Sequence, residues 1–555
     1  MKINKVCFLA LLYATLSIAG VSAQEITYRS PVDFPISLSG NVGEARSNHF
    51  HTGLDIRGGG VVGAPIYSVA KGYVSRIFVS PYGYGKALYV THFDGTTAVY
   101  GHLDRFAPSI AQWVENQQYA RQSFSVDLYP PRNLFTISRG QVIAYLGNSG
   151  SSGGPHLHFE LRAALSMNPM NIGHSRIFSI ADNVPPIVRK VHLYLQDTVL
   201  GVPIFSLAAT IDAKKNSTGQ YELTTPILYF EKPAYLAYDV IDYKNGSNFT
   251  MGIYSMEQKV NGTTNFRFAI DNISFATTRY SNAFTQYNLT KQTRGDVIRA
   301  FVAPNNLLHN YMTNINDGII MPPKKLGERL KITTTIVDDN NNSTNIEFYL
   351  ARGDSRHINT IPDNNVSIVP WDRDFQYRDH AMTVDIPARS VYETQIMKFS
   401  YDGKYYRIGD KNIPLQKFIV LKTIDLIEPK LRSKALFVNS AGHGAGGEFI
   451  DGQMVLRTRN FGVYSIAYDT IKPSIAIVKP GANNTLKFKI TDNLSGVASY
   501  RLTINGKWAL AEYDPKTSSL VHRFKPNATP QERAIELKVV DGKRNVNIIN
   551  TKQKW

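Results

Sequence analysis

Two short segments carry residues fit for metal chemistry. HFHTGLDI at 49–56 holds His49, His51 and Asp55, and GPHLHFEL at 154–161 holds His156 and His158. AVYGHLDRF at 98–106 adds His102. Six of the chain's 13 histidines fall between residues 49 and 158, where packing alone would scatter them. His156 and His158 are two apart in an apolar run. On a strand both imidazoles face one side, with Leu157 and Phe159 on the other. His51 and Asp55 lie four apart around Gly53, whose freedom lets an imidazole and a carboxylate converge. Two histidines and a carboxylate leave one tetrahedral zinc position open, the pattern of a catalytic rather than a structural zinc. From residue types alone the ligand set is His51, Asp55 and one of the two histidines of HLH. His49 could reach the same face, but His51 carries the Gly-x-Asp spacing. His92, at the end of a strand, reads as structural. The chain has no HExxH helix to supply a glutamate base.

The elements around these residues form a longer pattern. GAPIYSVAKGYVSRI (63–77) reads as a glycine-bounded strand. YGKALYVTHFDGTTAVYGHL (84–103) reads as a hairpin ending in Tyr-x-His-Leu, and ISRGQVIAYLGNSGSSGGPHLHFELR (137–162) as a glycine-rich close. Together with H-x-x-x-D at 51–55 and H-x-H at 156–158, residues 45–165 resemble the lysostaphin/LytM-type zinc metallopeptidases (peptidase family M23), which cut peptidoglycan cross-bridges. The resemblance implies an antiparallel β-sheet peptidase domain and one Zn2+ per chain, bound by His51, Asp55 and His158. It also implies that His102 and His156 flank the metal-bound water as the catalytic pair. One segment departs from compact members of the family. Residues 106–136 intervene after His102, and their aromatics and Pro130-Pro131 predict an ordered excursion, either a wall or lid of the groove or a surface insertion.

Lys2 and Lys5 precede the apolar run VCFLALLYATLSIAGV, and Val21-Ser22-Ala23 fits a cleavage site, so residues 1–23 are expected to be a signal peptide. The only cysteine, Cys7, lies inside that run, leaving a mature chain without disulfides. No later run is long and apolar enough to predict a transmembrane helix. The formal charge of +17 falls to +15 without Lys2 and Lys5. A basic surface suits anionic envelope polymers. Nucleic acid is not expected, because no recognition motif accompanies the charge.

Tyrosine, phenylalanine and threonine in short alternating segments punctuated by glycine and proline predict a mainly β chain. The downstream residues carry a degenerate repeat. Asp182-Asn-Val-Pro-Pro recurs as Asp469-Thr-Ile-Lys-Pro, LAYDVID-YKNG (236–246) as LKFKITD-NLSG (486–496), and IVDDNNNSTNIEF (336–348) as VVDGKRNVNII (539–549). This spacing reads as immunoglobulin-like β-sandwiches. The expected organisation is a LytM-like peptidase domain at 24–181, a sandwich with long insertions at 182–352, a β-rich module of uncertain fold at 353–468 and a second sandwich at 469–555. The peptidase domain is expected to fold alone, with the sandwiches targeting it to a polymer.

The function expected from this set is a secreted zinc metalloendopeptidase of peptidoglycan, in the periplasm or cell envelope. The alternatives are a catalytically inactive LytM-fold regulator of other wall hydrolases, or a surface adhesin or scaffold. Inactive relatives lose ligands or flanking histidines, whereas all five positions are filled here.

Overall fold

The computed structural model describes residues 27–308, 312–354, 365–424, 427–478, 484–525 and 531–554. The leader at 1–23, with Cys7, lies outside the described residues.

Alternating apolar residues build the sheet that carries the site. The elements are β1 (Leu38–Gly40), β2 (Leu54–Arg57), β3 (Gly72–Val79), β4 (Lys86–His92), β5 (Thr97–Gly101), α1 (Pro108–Arg121), β6 (Val126–Leu128), β7 (Thr136–Ile137) and β8 (His156–Arg162). The order is β1-β2-β8-β5-β4-β3-β6, with β7 also pairing with β3, and all pairs are antiparallel. β8 therefore lies between β2 and β5, and the three motifs become neighbours. His158 is in register with Asp55 on one side and Gly101 on the other. Leu157, Phe159 and Leu161 alternate away from the site and are buried in the core.

Gly53 is needed for a reason other than a bend. Its φ is not in the left-handed region, but a Cβ there would stand 2.5 Å from the Phe159 carbonyl oxygen and 3.0 Å from His158 Cε1. The glycine lets the first motif lie against β8.

The inserted segment contains α1, opened by Pro108 at its first turn and closed by Gln122 in the left-handed conformation. Ile110 and Val114 of the helix join the core. Its outer end meets the last sandwich, where Tyr119 packs edge-on to Trp508 at 5.2 Å and Arg501 donates to the Gln122 side chain.

Downstream, the described residues are mainly β, interrupted by short helices such as Ser281–Phe284 and Tyr287–Thr290. In the first sandwich Val202–Lys215 pairs along most of its length with Ile187–Val199, and at its end with Tyr221–Phe230, so one long strand serves both sheets. Residues 367–468 form two five-stranded sheets and a small strand pair among the described residues. The last module, 474–554, forms two four-stranded sheets over a core of Leu486, Phe488, Leu502, Leu520, Leu537 and neighbours.

Independent folding of the peptidase domain does not match this packing. One hydrophobic cluster runs continuously from the peptidase sheet into the first sandwich. Phe50 packs edge-on to Phe284 at 5.3 Å, and Phe50 N donates to the Thr278 hydroxyl. The Asn41 side chain exchanges hydrogen bonds with backbone Gly252 at 2.9 and 2.8 Å. The sequence signalled a Pro185-Pro186 linker, and the segment around it is partly exposed, but the two domains also meet through these nonlocal contacts.

Candidate metal centre

β2 and β8 bring His51, Asp55 and His158 together. His51 Nε2 and His158 Nδ1 each lie 3.0 Å from Asp55 Oδ1 and 3.1 Å from one another. Metal–ligand bonds of about 2.0–2.1 Å around a tetrahedral zinc put ligand atoms roughly 3.3 Å apart, so the three atoms fit one face of that tetrahedron. All three residues are buried.

The second nitrogen of each histidine is anchored, which fixes the lone pair of the first. His51 Nδ1 donates to the Asn41 carbonyl at 2.8 Å, leaving Nε2 free for a metal. His158 Nε2 donates to Glu160 Oε1 at 2.9 Å, leaving Nδ1. Glu160 is held in turn by Thr52 and Tyr84 hydroxyls, both at 2.6 Å, and by Arg162 Nε at 2.7 Å. Arg46 donates to the other Asp55 oxygen at 2.8 Å.

Electrostatics fit a cation at this point. Burial disfavours the Asp55 carboxylate, but the facing His51, His156 and His158 outweigh it and hold the carboxyl well below its usual range. Burial also opposes charge on His158, but its hydrogen bonds to Asp55 and Glu160 push it up to about 9. The pocket thus attracts positive charge while presenting three convergent donor atoms, and the residues fit zinc.

His102 and His156 stand beside this set. Their rings are 4.8 Å apart, and His102 lies 5.9 Å from the His158 ring. His156 Nδ1 donates to the Gly154 carbonyl at 2.9 Å and its Nε2 lies 3.3 Å from Asp55 Oδ1. His102 Nδ1 donates to the Ser149 carbonyl at 2.9 Å, leaving Nε2 available. Burial and the neighbouring His158 and His156 lower His102 to about 3, so it is neutral. Its backbone is left-handed, with φ at 59°, an uncommon conformation for a residue with a Cβ.

The structure thus brings together all five residues picked out in the sequence. His49 is exposed and bonds to the Ser47 carbonyl. His92 packs on Tyr28 and bonds to Thr96, away from the site. Sequence reasoning missed Glu160, Arg162 and Tyr84. The first two were visible as the continuation of the alternation His156, His158, Glu160, Arg162 on one face of β8.

A family model described as Peptidase family M23 matches residues 49–120. Over these residues the N-terminal domain is similar to peptidase family M23. The M23 domain is 27% identical over 123 residues to a DD-carboxypeptidase/endopeptidase Mpg of Neisseria meningitidis serogroup B, a stretch covering 22% of each chain. The match therefore spans about a fifth of that relative's length. Among solved structures, the catalytic domain of the prophage-encoded M23 protein EnpA from Enterococcus faecalis is 24% identical. It covers 25% of this chain and 82% of its own, with a TM-score of 0.15. A zinc-containing peptidase from Vibrio cholerae is 26% identical, covering 24% of this chain and 36% of its own, with a TM-score of 0.18. Residues 366–469, whose fold the sequence left open, match a Zu5-like domain model.

The M23 site does not stand clear of the rest of the chain. Lys516 of the last sandwich donates from Nζ to the Asn148 carbonyl at 2.5 Å and the Ser152 carbonyl at 3.2 Å. Lys86 pairs with Glu512 at 2.8 Å. The 148–152 loop is the one that supplies the Ser149 carbonyl to His102, and the Ser152 hydroxyl lies 3.3 Å from His156 Nδ1. A crevice of about 860 Å³ between α1 and the last sandwich opens beside this loop, lined by Glu115, Tyr119, Asn148, Glu512 and Tyr513 among others.

Proposed function

We propose that this protein is an exported zinc metalloendopeptidase that hydrolyses peptide cross-bridges of bacterial peptidoglycan. The observation that carries the reading is completeness. All three ligand positions and both flanking histidines are filled, and an anchored second nitrogen fixes the tautomer of each of the four imidazoles. That set weighs against an inactive regulator on the same fold.

Zinc, when bound, supplies Lewis acidity and a hydroxide at neutral pH. The remaining work falls to the chain. His51, Asp55 and His158 would hold the metal. Glu160 keeps His158 in the tautomer that presents Nδ1. His102, neutral and anchored at Nδ1, can accept a hydrogen bond or proton at Nε2, and can donate from it once that proton has been taken up. His156, anchored at Nδ1 by the Gly154 carbonyl and 4.8 Å from the His102 ring, can do the same at its Nε2. Together they can stabilise a tetrahedral oxyanion and return a proton to the departing amine.

The relatives' name as DD-carboxypeptidase/endopeptidase favours a bond between D-configured residues as the substrate. The net charge of +17 favours an anionic polymer mesh, and the apolar N-terminal run supports export to the periplasm or envelope. Digesting purified sacculi with the zinc-loaded protein and identifying the released muropeptides by mass spectrometry tests the reading. New free amino termini at one cross-bridge position are expected. Sacculi left intact by zinc-loaded protein would exclude wall hydrolysis and favour the regulator or scaffold.

A further inference from the structure

Outside the M23 site, two acidic triads lie at the starts of the two sandwiches. Asp182, Asp242 and Asp338 form the first, and Asp469, Asp492 and Asp541 the second. Within each, one carboxylate oxygen per residue lies within 4.8 Å of the others. These are the three aspartates of the internal sequence repeat, and the structure shows that the copies share their scaffold. Asn342 donates from its backbone and side chain to both oxygens of Asp338, at 2.8 and 2.8 Å. Asn545 does the same to Asp541, at 2.8 and 2.7 Å. Each asparagine also donates to the backbone carbonyl of its linker aspartate, Asp182 at 3.4 Å or Asp469 at 2.8 Å.

A cluster of carboxylates can be a solvated surface, but these are not. Asp242, Asp338 and Asp469 are 0% exposed and Asp541 is 1% exposed. Among the described residues, neither Asp242 oxygen has a hydrogen-bond partner, and Asp469 Oδ1, Asp492 Oδ1 and Ser495 Oγ are likewise without one. Buried carboxylate oxygens without donors are costly unless a cation meets them. The charge balance is also the same in both copies. Lys244 pairs with Asp182 at 3.0 Å and with Asp339. Where the first copy has Lys244 and Asp339, the second has Leu494 and Gly542, so an ion pair is added or removed together and three acidic groups remain each time.

We propose that both triads are binding sites for a hard divalent cation of the calcium type, one at the head of each sandwich. Oxygen-only ligands exclude soft metals and favour Ca2+ or Mg2+. Ca2+ takes about six to eight oxygens in flexible geometry, which suits carboxylates drawn from a linker and two strand ends better than the near-ideal octahedron that Mg2+ demands. The remaining coordination positions are left to water.

The positions give the ions a mechanical role. At the first triad, Asn41 of the M23 domain donates to Asp339 at 3.3 Å, and the Asn340 side chain donates to the Ile180 carbonyl at 2.9 Å. At the second, Lys434 of the preceding module donates to Asn545 at 2.5 Å, and Asp469 N donates to the Lys434 carbonyl at 2.9 Å. Each ion would tie a linker aspartate to two strand ends and so stiffen a junction between modules.

The test uses the full zinc-loaded chain in buffer stripped of divalent ions, titrated calorimetrically with Ca2+. Two Ca2+ per chain and a rise in Tm of several degrees are expected. Asp242→Asn and Asp492→Asn should each bind one, and the double variant none. Asp55→Ala, which removes a zinc ligand, should still bind two. Asparagine at 242 also relieves a buried charge, so stoichiometry rather than stability is the deciding readout. No Ca2+ binding at millimolar concentration, or two ions bound by the double variant, overturns the proposal.

Discussion

At the scale of single residues, the two roles assigned to histidine separate experimentally. Asp55→Ala or His158→Ala removes a donor atom from a three-atom set and should abolish tight zinc binding and activity together. His102→Ala and His156→Ala remove groups whose nitrogens lie beside that set, so zinc should stay while the rate falls on the order of 10²-fold or more. Zinc content by elemental analysis beside turnover checks both. Full occupancy in Asp55→Ala would show that the convergence of these atoms is not the metal site.

Asp296 gives a pH dependence at the same scale. Burial, reinforced by Glu44, raises its carboxyl to about 7. A carboxyl raised on folding binds protons more tightly in the native state. Its favourable contribution is therefore complete below an unfolded value of about 4 and is lost as pH rises through about 7. Asp296→Asn should be more stable than the parent at pH 8, by on the order of a few kcal/mol, and the gap should close near pH 4. Denaturant melts at the two pH values check this, and a gap independent of pH would contradict it.

At the scale of elements, β8 organises the site because its two faces do different work. One face fills the core with Leu157, Phe159 and Leu161. The other presents His156, His158, Glu160 and Arg162 in a row. The close approach of the first motif to this strand rests on Gly53. Gly53→Ala should shift the 51–55 segment, costing roughly 1–3 kcal/mol of stability and most of the zinc affinity. A variant with unchanged melting and zinc content would show that the segment gives way easily.

This strand also shows what could be read from the sequence. The strand period of two put His156 and His158 on one side without any structure, and the alternation was enough to identify the core side. The tautomers were not legible, because they depend on Asn41, Ser149 and Gly154 carbonyls, and any residue can supply a backbone oxygen. α1 was hidden too. Its segment was read as an ordered excursion, but polar residues such as Gln117 and Asn116 leave no apolar stripe of helical period, and its outer end is covered by residues near 508. The aspartates of the repeat were visible as letters, but their convergence required the sheets.

At the scale of the whole molecule, the modules are joined rather than strung. The M23 domain shares its core with the first sandwich, and the last sandwich returns to brace the 148–152 loop through Lys516. A fragment ending near residue 181 would expose Phe50, Val42 and their neighbours and should aggregate or melt well below the full chain. Lys516→Ala in the full chain is the cleaner probe. Zinc content should be unchanged, while turnover of a small soluble muropeptide should fall several-fold, because the loop that orients His102 and His156 loses its support. Normal turnover of small substrates with poor digestion of sacculi would instead return the sandwiches to a purely targeting role.

The brace also bears on timing during synthesis. Lys516 and the Asn148 carbonyl it holds are 368 residues apart in the chain. A growing polypeptide can assemble the zinc ligands once β8 has formed, but the loop beside them stays unbraced until the last sandwich has been made and has folded back. At about 5–20 residues per second, that interval is on the order of 20–70 seconds of translation. Such a hydrolase would pass through its own synthesis with its catalytic histidines loosely held and reach full activity only as a finished molecule. The delay would come from chain connectivity alone.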